Sequence, residues 1–162
     1  MGQRRRQDEG GPAVSEEAPS IRDAEAVARR VAEDEVAAVA ARLRYRMSPQ
    51  ATLEPANRVR HLLGPGERVV AERHLAFFDR RRPAPGSAEA QGLPGALFIT
   101  SARLIFIGRV TVAVALADIA DVVMSAEQLL LTMRDGIGIA LDVDRPRLLR
   151  VEISAARVAA RS

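Results

Sequence analysis

Two spacings of apolar residues divide the chain into a helical part and a strand-rich part. Between residues 20 and 48, apolar positions recur every three or four residues, with alanine between them and no glycine or proline. This pattern predicts an amphipathic α-helix over residues 20–48, ended by Pro49. Residues 1–19 combine glycine, proline and mixed charge, which predicts a disordered tail. From Leu53 onward, short apolar runs alternate with turn residues, which predicts strands.

The predicted helix has a narrow apolar stripe of small side chains. Its acidic residues lie in the first half and Arg42, Arg44 and Arg46 lie in the last turns, an order that complements the helix dipole. A stripe of small side chains needs a flat partner, either the following sheet or a second copy of the helix. The residues expected to form this partner face are Val27, Val31, Val36, Val39 and Leu43.

The strand-rich part follows a recognisable order. One strand precedes a long loop rich in proline and glycine, and about six shorter strands follow it. Residues 96–100 and 103–108 are apolar on both faces, so both faces are expected to be covered. Asp135-Gly136 predicts a hairpin, and Asp144 followed by Pro146 predicts a capped closing helix. Short antiparallel strands with one terminal helix predict an α+β fold, a small curved sheet or barrel plugged by that helix.

Three motifs carry a resemblance to a known family. Residues 95–106 fit the pattern G-x-L-x-x-T-x-x-R-L-x-F, residues 116–119 fit L-x-D-I, and residues 63–69 fit L-x-x-G-E-x-V. In this order they resemble the core signature of GRAM-type and bacterial pleckstrin-homology-like domains. The resemblance covers about residues 60–160 and implies a pleckstrin-homology-like bent seven-strand barrel with a C-terminal helix. It places such a domain at residues 57–162, behind the N-terminal helix.

The signature residues have a physical role of their own. Thr100 and Ser101 are expected to bond the turn backbone, and Asp118 the bend that follows. Four apolar side chains are expected to fill the barrel, each contributing roughly 1.5–3 kcal/mol if fully buried. These four are Leu97, Ile99, Leu104 and Phe106. Most of the signature is therefore expected to specify the fold and not a ligand site.

An arginine cluster is the main candidate ligand site. Lipid-binding domains of the resembled fold hold anionic head groups with basic residues near the loop after the first strand, and arginine suits phosphate through planar, bidentate donors. The expected site is Arg80, Arg81, Arg82, Arg103 and Arg109. Phe77 and Phe78 would reach a bilayer interface if exposed. The alternative is a solvated charge run beside core phenylalanines.

The amino-acid composition excludes several classes of catalytic and metal-binding site. The chain has no Cys and no Lys, which excludes thiolate nucleophiles, zinc–thiolate sites, Schiff bases and a complete Walker A loop. His61 and His74 are far apart and are expected to be ordinary surface residues. We therefore expect no enzyme activity, no cofactor and no metal.

The distribution of charge limits the classes of binding partner but does not identify one. The net charge is +3, but residues 42–82 hold ten arginines against four carboxylates, a local +6. Aromatic residues are only 3% of the chain, so base stacking, and with it nucleic-acid binding, is disfavoured. The sequence favours a cytoplasmic protein-binding or assembly module, with self-association through the helix as one form. The alternative is a peripheral membrane module that binds anionic lipid through Arg80, Arg81 and Arg82, and a remote alternative is a nucleic-acid-associated factor.

Overall fold

The computed structural model describes residues 21–47, 52–81 and 92–161. The predicted tail, Arg82 and most of the predicted loop lie outside these residues. The helices are α1 (Ile21–Met47), α2 (Asn57–Arg60) and α3 (Pro146–Ala159). The strands are β1 (Val69–Arg81), β2 (Leu93–Thr100), β3 (Arg103–Gly108), β4 (Thr111–Ala115), β5 (Ile119–Ser125), β6 (Gln128–Met133) and β7 (Gly138–Val143). A 3-10 turn at Leu116–Asp118 joins β4 to β5.

The seven strands form one antiparallel sheet, which confirms the predicted α+β class. Their order is β4-β3-β2-β1-β7-β6-β5, so the long strand β1 joins both halves. β1 pairs with β2 from Val69 to Phe78 and with β7 from Ala76 to Arg81. Within the described residues β4 and β5 are not hydrogen-bonded to each other, so the expected barrel is curved but not closed.

The concave side of the sheet holds the main core. The expected barrel-filling side chains Leu97, Ile99, Leu104 and Phe106 are all buried there. Phe78, one of the two phenylalanines expected near a membrane, stacks on Phe106 with 5.0 Å between ring centroids. A Cβ atom at Gly95 would lie 2.5 Å from the Phe106 ring, so this signature glycine makes room for the ring.

The other side of β1, β2 and β3 is covered by a short helix that the sequence pattern did not reveal. Val59 of α2 packs with Phe98 and Ile105 in a second buried cluster. The guanidinium of Arg58 lies over the Phe98 ring, 5.2 Å from its centroid. The expectation that β2 and β3 are covered on both faces is therefore confirmed.

The predicted hairpin and closing helix are present, but the capping residue of α3 was predicted wrongly. Gly136 has a positive φ of 82° in the β6–β7 hairpin, as Asp135-Gly136 required. Asp144 makes no cap and instead lies 3.8 Å from the Arg73 guanidinium. Leu149 and Ile153 of α3 are buried in the core, whereas Val158 of the same helix is exposed.

The carboxylate that caps α3 belongs to α1. The backbone N–H groups of Arg147 and Leu148 donate to Asp34 at N···O distances of 2.8 and 3.0 Å, and Asp34 is only 2% exposed. Ala38 and Ala41 follow on the same face of α1 and pack against Val151 of α3. The helix therefore docks on α3 and not on the strands.

Removal of the Asp34 carboxylate should loosen α1 from α3. Asp34→Ala leaves two helix N-terminal donors without their acceptor and should lower the free energy of unfolding by about 1–3 kcal/mol. Asp34→Asn keeps one acceptor oxygen and should cost less. Urea denaturation gives the free energies, and hydrogen exchange reports the Arg147 and Leu148 amides directly. Glu25→Ala, an exposed carboxylate on the same helix, is the matched control. Unchanged exchange at both amides in Asp34→Ala would contradict the capping role.

Candidate binding surfaces

Helix α1 has two different faces. The inner face, with Asp34, Ala38 and Ala41, is buried against α3. The opposite face carries large apolar side chains that contact neither the sheet nor α3. Their exposed fractions are 70% for Val36, 46% for Val39, 57% for Leu43 and 88% for Met47. We call these four residues the outer stripe.

The stripe expected from the sequence therefore mixed two faces of the helix. Val27 and Val31 lie toward the inner side, where they line a groove beside β1. Val36, Val39 and Leu43 point away from α3. The five-residue step from Val31 to Val36 turns about 140° around a helix, which moves the pattern from one face to the other. The inner face itself was missed because alanine and one aspartate give almost no hydrophobic signal.

Charged side chains flank the outer stripe in an ordered way. With about 100° of rotation per residue, Glu33 and Arg44 lie on one flank and Glu35 and Arg46 lie on the other. All four are exposed. Glu35 also lies 3.6 Å from Arg42 and 3.6 Å from Arg147. Each flank thus carries a carboxylate in its N-terminal half and a guanidinium in its C-terminal half.

The predicted arginine site is divided between two ends of the sheet. Arg80 and Arg81 lie on β1, opposite Ile139 and Gly138 of β7, and not in a loop as expected. Arg109, in the β3–β4 turn, lies at the same end, because Gly108 pairs with Gly95 near the start of β2. Arg103 begins β3 and therefore lies at the opposite end. The expected convergence of Arg103 with the other arginines is wrong.

Arg103 instead forms a structural cluster with two other signature residues. Its Nε and one terminal nitrogen donate to the two carboxylate oxygens of Glu67 at 2.9 and 2.7 Å, and that terminal nitrogen also reaches the Leu62 carbonyl at 2.7 Å. The Thr100 hydroxyl donates to Glu67 at 2.6 Å, and the Gly64 N–H donates to it at 2.8 Å. A bidentate pair of this kind fixes the approach to β1 against the β2–β3 turn.

Neighbouring hydrogen-bond donors strongly lower the pKa of the Glu67 carboxyl. The hydrogen bonds from the Arg103 guanidinium lower the pKa of the Glu67 carboxyl to about 2, with further lowering by Thr100 and Gly64. Burial opposes this shift, since the Glu67 side chain is 6% exposed. Glu67 is thus a firmly ionised structural acceptor.

A second buried ion pair lies between α3 and the sheet. The Arg73 guanidinium of β1 donates to Glu152 of α3 at 2.6 Å. Burial raises the pKa of the Glu152 carboxyl, and the Arg73 charge acts against that rise. Tyr45 of α1 lines a cavity of about 250 Å³ together with Arg73 and Glu152, and burial raises the pKa of its hydroxyl. The ion pair connects β1 to α3.

Two further cavities lie beside these elements. A groove of about 710 Å³ runs between α1 and the β1–β7 region, with Val31, Leu75 and Phe77 among its walls. A second cavity of about 370 Å³ lies where the sheet remains open. It brings Arg80 and Arg134 together with Asp118 and Asp135, so its charges are mixed.

The remaining candidate groups have ordinary surroundings. His74 is exposed, with its Nδ1 3.2 Å from an Arg58 nitrogen and its Nε2 3.7 Å from Glu72, and His61 is exposed. Across residues 21–47, 52–81 and 92–161, no three His, Asp or Glu side chains are placed to hold a metal ion. None of the helices described has the length and apolar content needed to span a bilayer.

Comparisons with known proteins find similarity at the level of structure. The N-terminal PH domain of Vps36 is 18% identical, with a TM-score of 0.46, and the match covers 61% of this chain and 83% of that one. The C-terminal domain of an unknown protein from Leishmania infantum is 19% identical, with a TM-score of 0.42, and the match covers 57% of this chain and 86% of that one. No family model and no curated protein matches the chain.

The Glu67 carboxylate should make stability depend on acid pH. Its folded pKa of about 2 lies below the ordinary 4.5, so its stabilisation is complete above pH 4.5 and is lost as the pH falls toward 2. Glu67→Gln should lower the free energy of unfolding by on the order of 2–3 kcal/mol at neutral pH. This difference from the unaltered chain should shrink as the pH falls from 4.5 toward 2. Denaturation at a series of pH values measures it, with exposed Glu54→Gln as control. A difference that stays constant from neutral pH to pH 2 would refute this assignment.

Proposed function

We propose that the chain is a non-catalytic GRAM-type, pleckstrin-homology-like module of the cytoplasm that binds protein through the outer stripe of α1. The observation that carries the proposal is the exposure of four large apolar side chains on the face opposite the α3 contact. Docking on α3 fixes the rotation of α1, so the stripe is presented on a rigid support. Exposed apolar patches rimmed by charge mark interaction surfaces.

The roles of the buried charged groups support a binding role over catalysis. Asp34 caps α3, Glu67 holds Arg103, and Glu152 pairs with Arg73. Each of these three carboxylates is engaged in joining elements of the fold. A catalytic acid or base instead needs a substrate proton within hydrogen-bond reach.

Charged residues in the outer stripe should weaken partner binding without unfolding the module. Val36→Glu with Leu43→Glu changes two exposed positions, so the free energy of unfolding should change by no more than about 0.5 kcal/mol at each site. Loss of two apolar anchors should weaken partner binding by roughly tenfold or more. A photo-crosslinking residue at Val39 in the full chain, in its native cells, measures this. Adducts should form at Val39 and disappear in the double variant.

The control places the same crosslinker at Val110, an apolar residue of similar exposure in the β3–β4 turn. Protein adducts that form equally at Val110 and Val39, or that persist in the double variant, would refute the stripe as the binding face.

A second candidate function, binding of anionic membrane lipid, is favoured by one observation. Arg80 and Arg109 lie at the same end of the sheet, where Phe77 and Leu93 are partly exposed. Basic and apolar side chains together suit an anionic bilayer interface. The carboxylates Asp118 and Asp135 near Arg80 weaken the local field. The remote nucleic-acid alternative loses support, since Arg73, within the +6 segment, is buried with Glu152.

The lipid candidate predicts salt-sensitive binding to anionic vesicles. The chain should sediment with phosphatidylserine vesicles at low salt, and Arg80→Glu with Arg109→Glu should reduce binding at least tenfold, since each arginine near the surface contributes about 1 kcal/mol. Arg150→Glu, on the exposed side of α3, is the charge-matched control. No sedimentation, or an equal effect of the control, would remove this candidate.

A further inference from the structure

We infer that the partner of the outer stripe is a second copy of this chain, bound as an antiparallel pair of α1 helices. This inference rests on the proposed function and names the partner of the same surface. It is carried by how charge is distributed along the two flanks of the stripe. The axis of the pair would lie near Val39 and Ala40, at the middle of the stripe.

The flanking charges are complementary to themselves in the antiparallel direction. A two-fold axis across a pair of antiparallel helices brings each flank of one copy against the same flank of the other, with the direction reversed. Glu33 of one copy would then face Arg44 of the other, and Glu35 would face Arg46. Each contact occurs twice by symmetry, so the pair would contain four ion pairs between the copies.

A parallel pair of α1 helices would bring like charges together. In a parallel pair, opposite flanks meet at the same height along the helix. Glu33 would then lie near the other copy's Glu35, and Arg44 near its Arg46. Like charges repel by amounts comparable to the attraction of the unlike pairs. The charge pattern therefore selects one direction.

The apolar residues are consistent with the same register. Val36 would lie opposite Leu43 of the second copy, and Ala32 opposite Met47. Around the axis, Val39 would lie opposite Ala40. Both alanines are exposed, and their small side chains allow the helices to approach at the usual distance of about 8–10 Å.

The rest of the fold leaves room for this partner. Because α3 and the sheet lie on the inner side of α1, a second helix on the outer side would not meet them. The contact would be smaller than the roughly 800 Å² per partner of a standard interface, so the dimer is expected to be reversible, with micromolar affinity.

Sedimentation equilibrium of the full chain tests the pairing and its charges. Between about 1 and 200 μM, a range that brackets micromolar affinity, the average mass should rise from one copy toward two. Glu33→Arg with Glu35→Arg places like charges opposite each other and should weaken the dimer at least tenfold. Adding Arg44→Glu and Arg46→Glu to that variant should restore it. Glu54→Arg, away from α1, is the control, and circular dichroism melting confirms that each variant folds.

The absence of cysteine allows a direct test of direction. Under air oxidation, Ala40→Cys lies near the axis and should form a disulfide with its own copy. Ala32→Cys and Met47→Cys should each stay unlinked alone and should link to each other when mixed. Rapid linking of Ala32→Cys to itself would show a parallel pair and overturn the inference.

The remaining outcomes also decide the question. A chain that stays monomeric at every concentration, or a dimer that the charge reversals leave unchanged, overturns the inference. If Val39 nevertheless crosslinks to a different protein and the double stripe variant abolishes that adduct, the proposed protein-binding function stands without self-association. If Val39 yields no adduct and the chain is monomeric, both proposals fail.

Discussion

The contact between Asp34 and the first turn of α3 determines how the rest of the molecule is presented. A helix N-terminus has unpaired donors, and a carboxylate that accepts two of them from another element fixes both the distance and the rotation of that element. With Asp34 directed inward, Ala38 and Ala41 must face α3. Their opposite side, the outer stripe, must then face outward. One buried carboxylate thereby sets which apolar surface is available to a partner.

The fold was largely predictable, because its determinants are local in sequence. Strand alternation, the Asp135-Gly136 hairpin and the motifs at residues 63–69, 95–106 and 116–119 each depend on residues close together. The structure has the seven strands and the terminal helices that they indicate. The Asp34 cap was not predictable in this way, since its partners lie more than a hundred residues away. An aspartate in line with two alanines at helical spacing is the only signal that the sequence offered.

The candidate sites were predicted less well than the fold. The chemistry of a side chain does not show which residue it contacts in the folded chain. Arg103 has the same charge as Arg80 and Arg109, yet Glu67 engages it fully. The sequence has no carboxylate between Glu89 and Asp118, so the pairing of Arg103 with Glu67 depends on which strand ends meet. The partner face predicted on α1 was wrong for a different reason. Its five apolar residues were assigned to one face of the helix although they occupy two. Rotation about the helix, and not composition, separates the docking face from the exposed face.

Because α1 caps a helix that lies far along the chain, the two helices are synthesised at different times. Asp34 emerges well before Arg147, and 113 residues separate them. At roughly 5–20 residues per second, α1 waits on the order of 5–20 s before its partner exists. During that interval both the alanine face and the outer stripe are uncovered. A nascent chain in that state exposes two faces of α1 where the finished molecule exposes one.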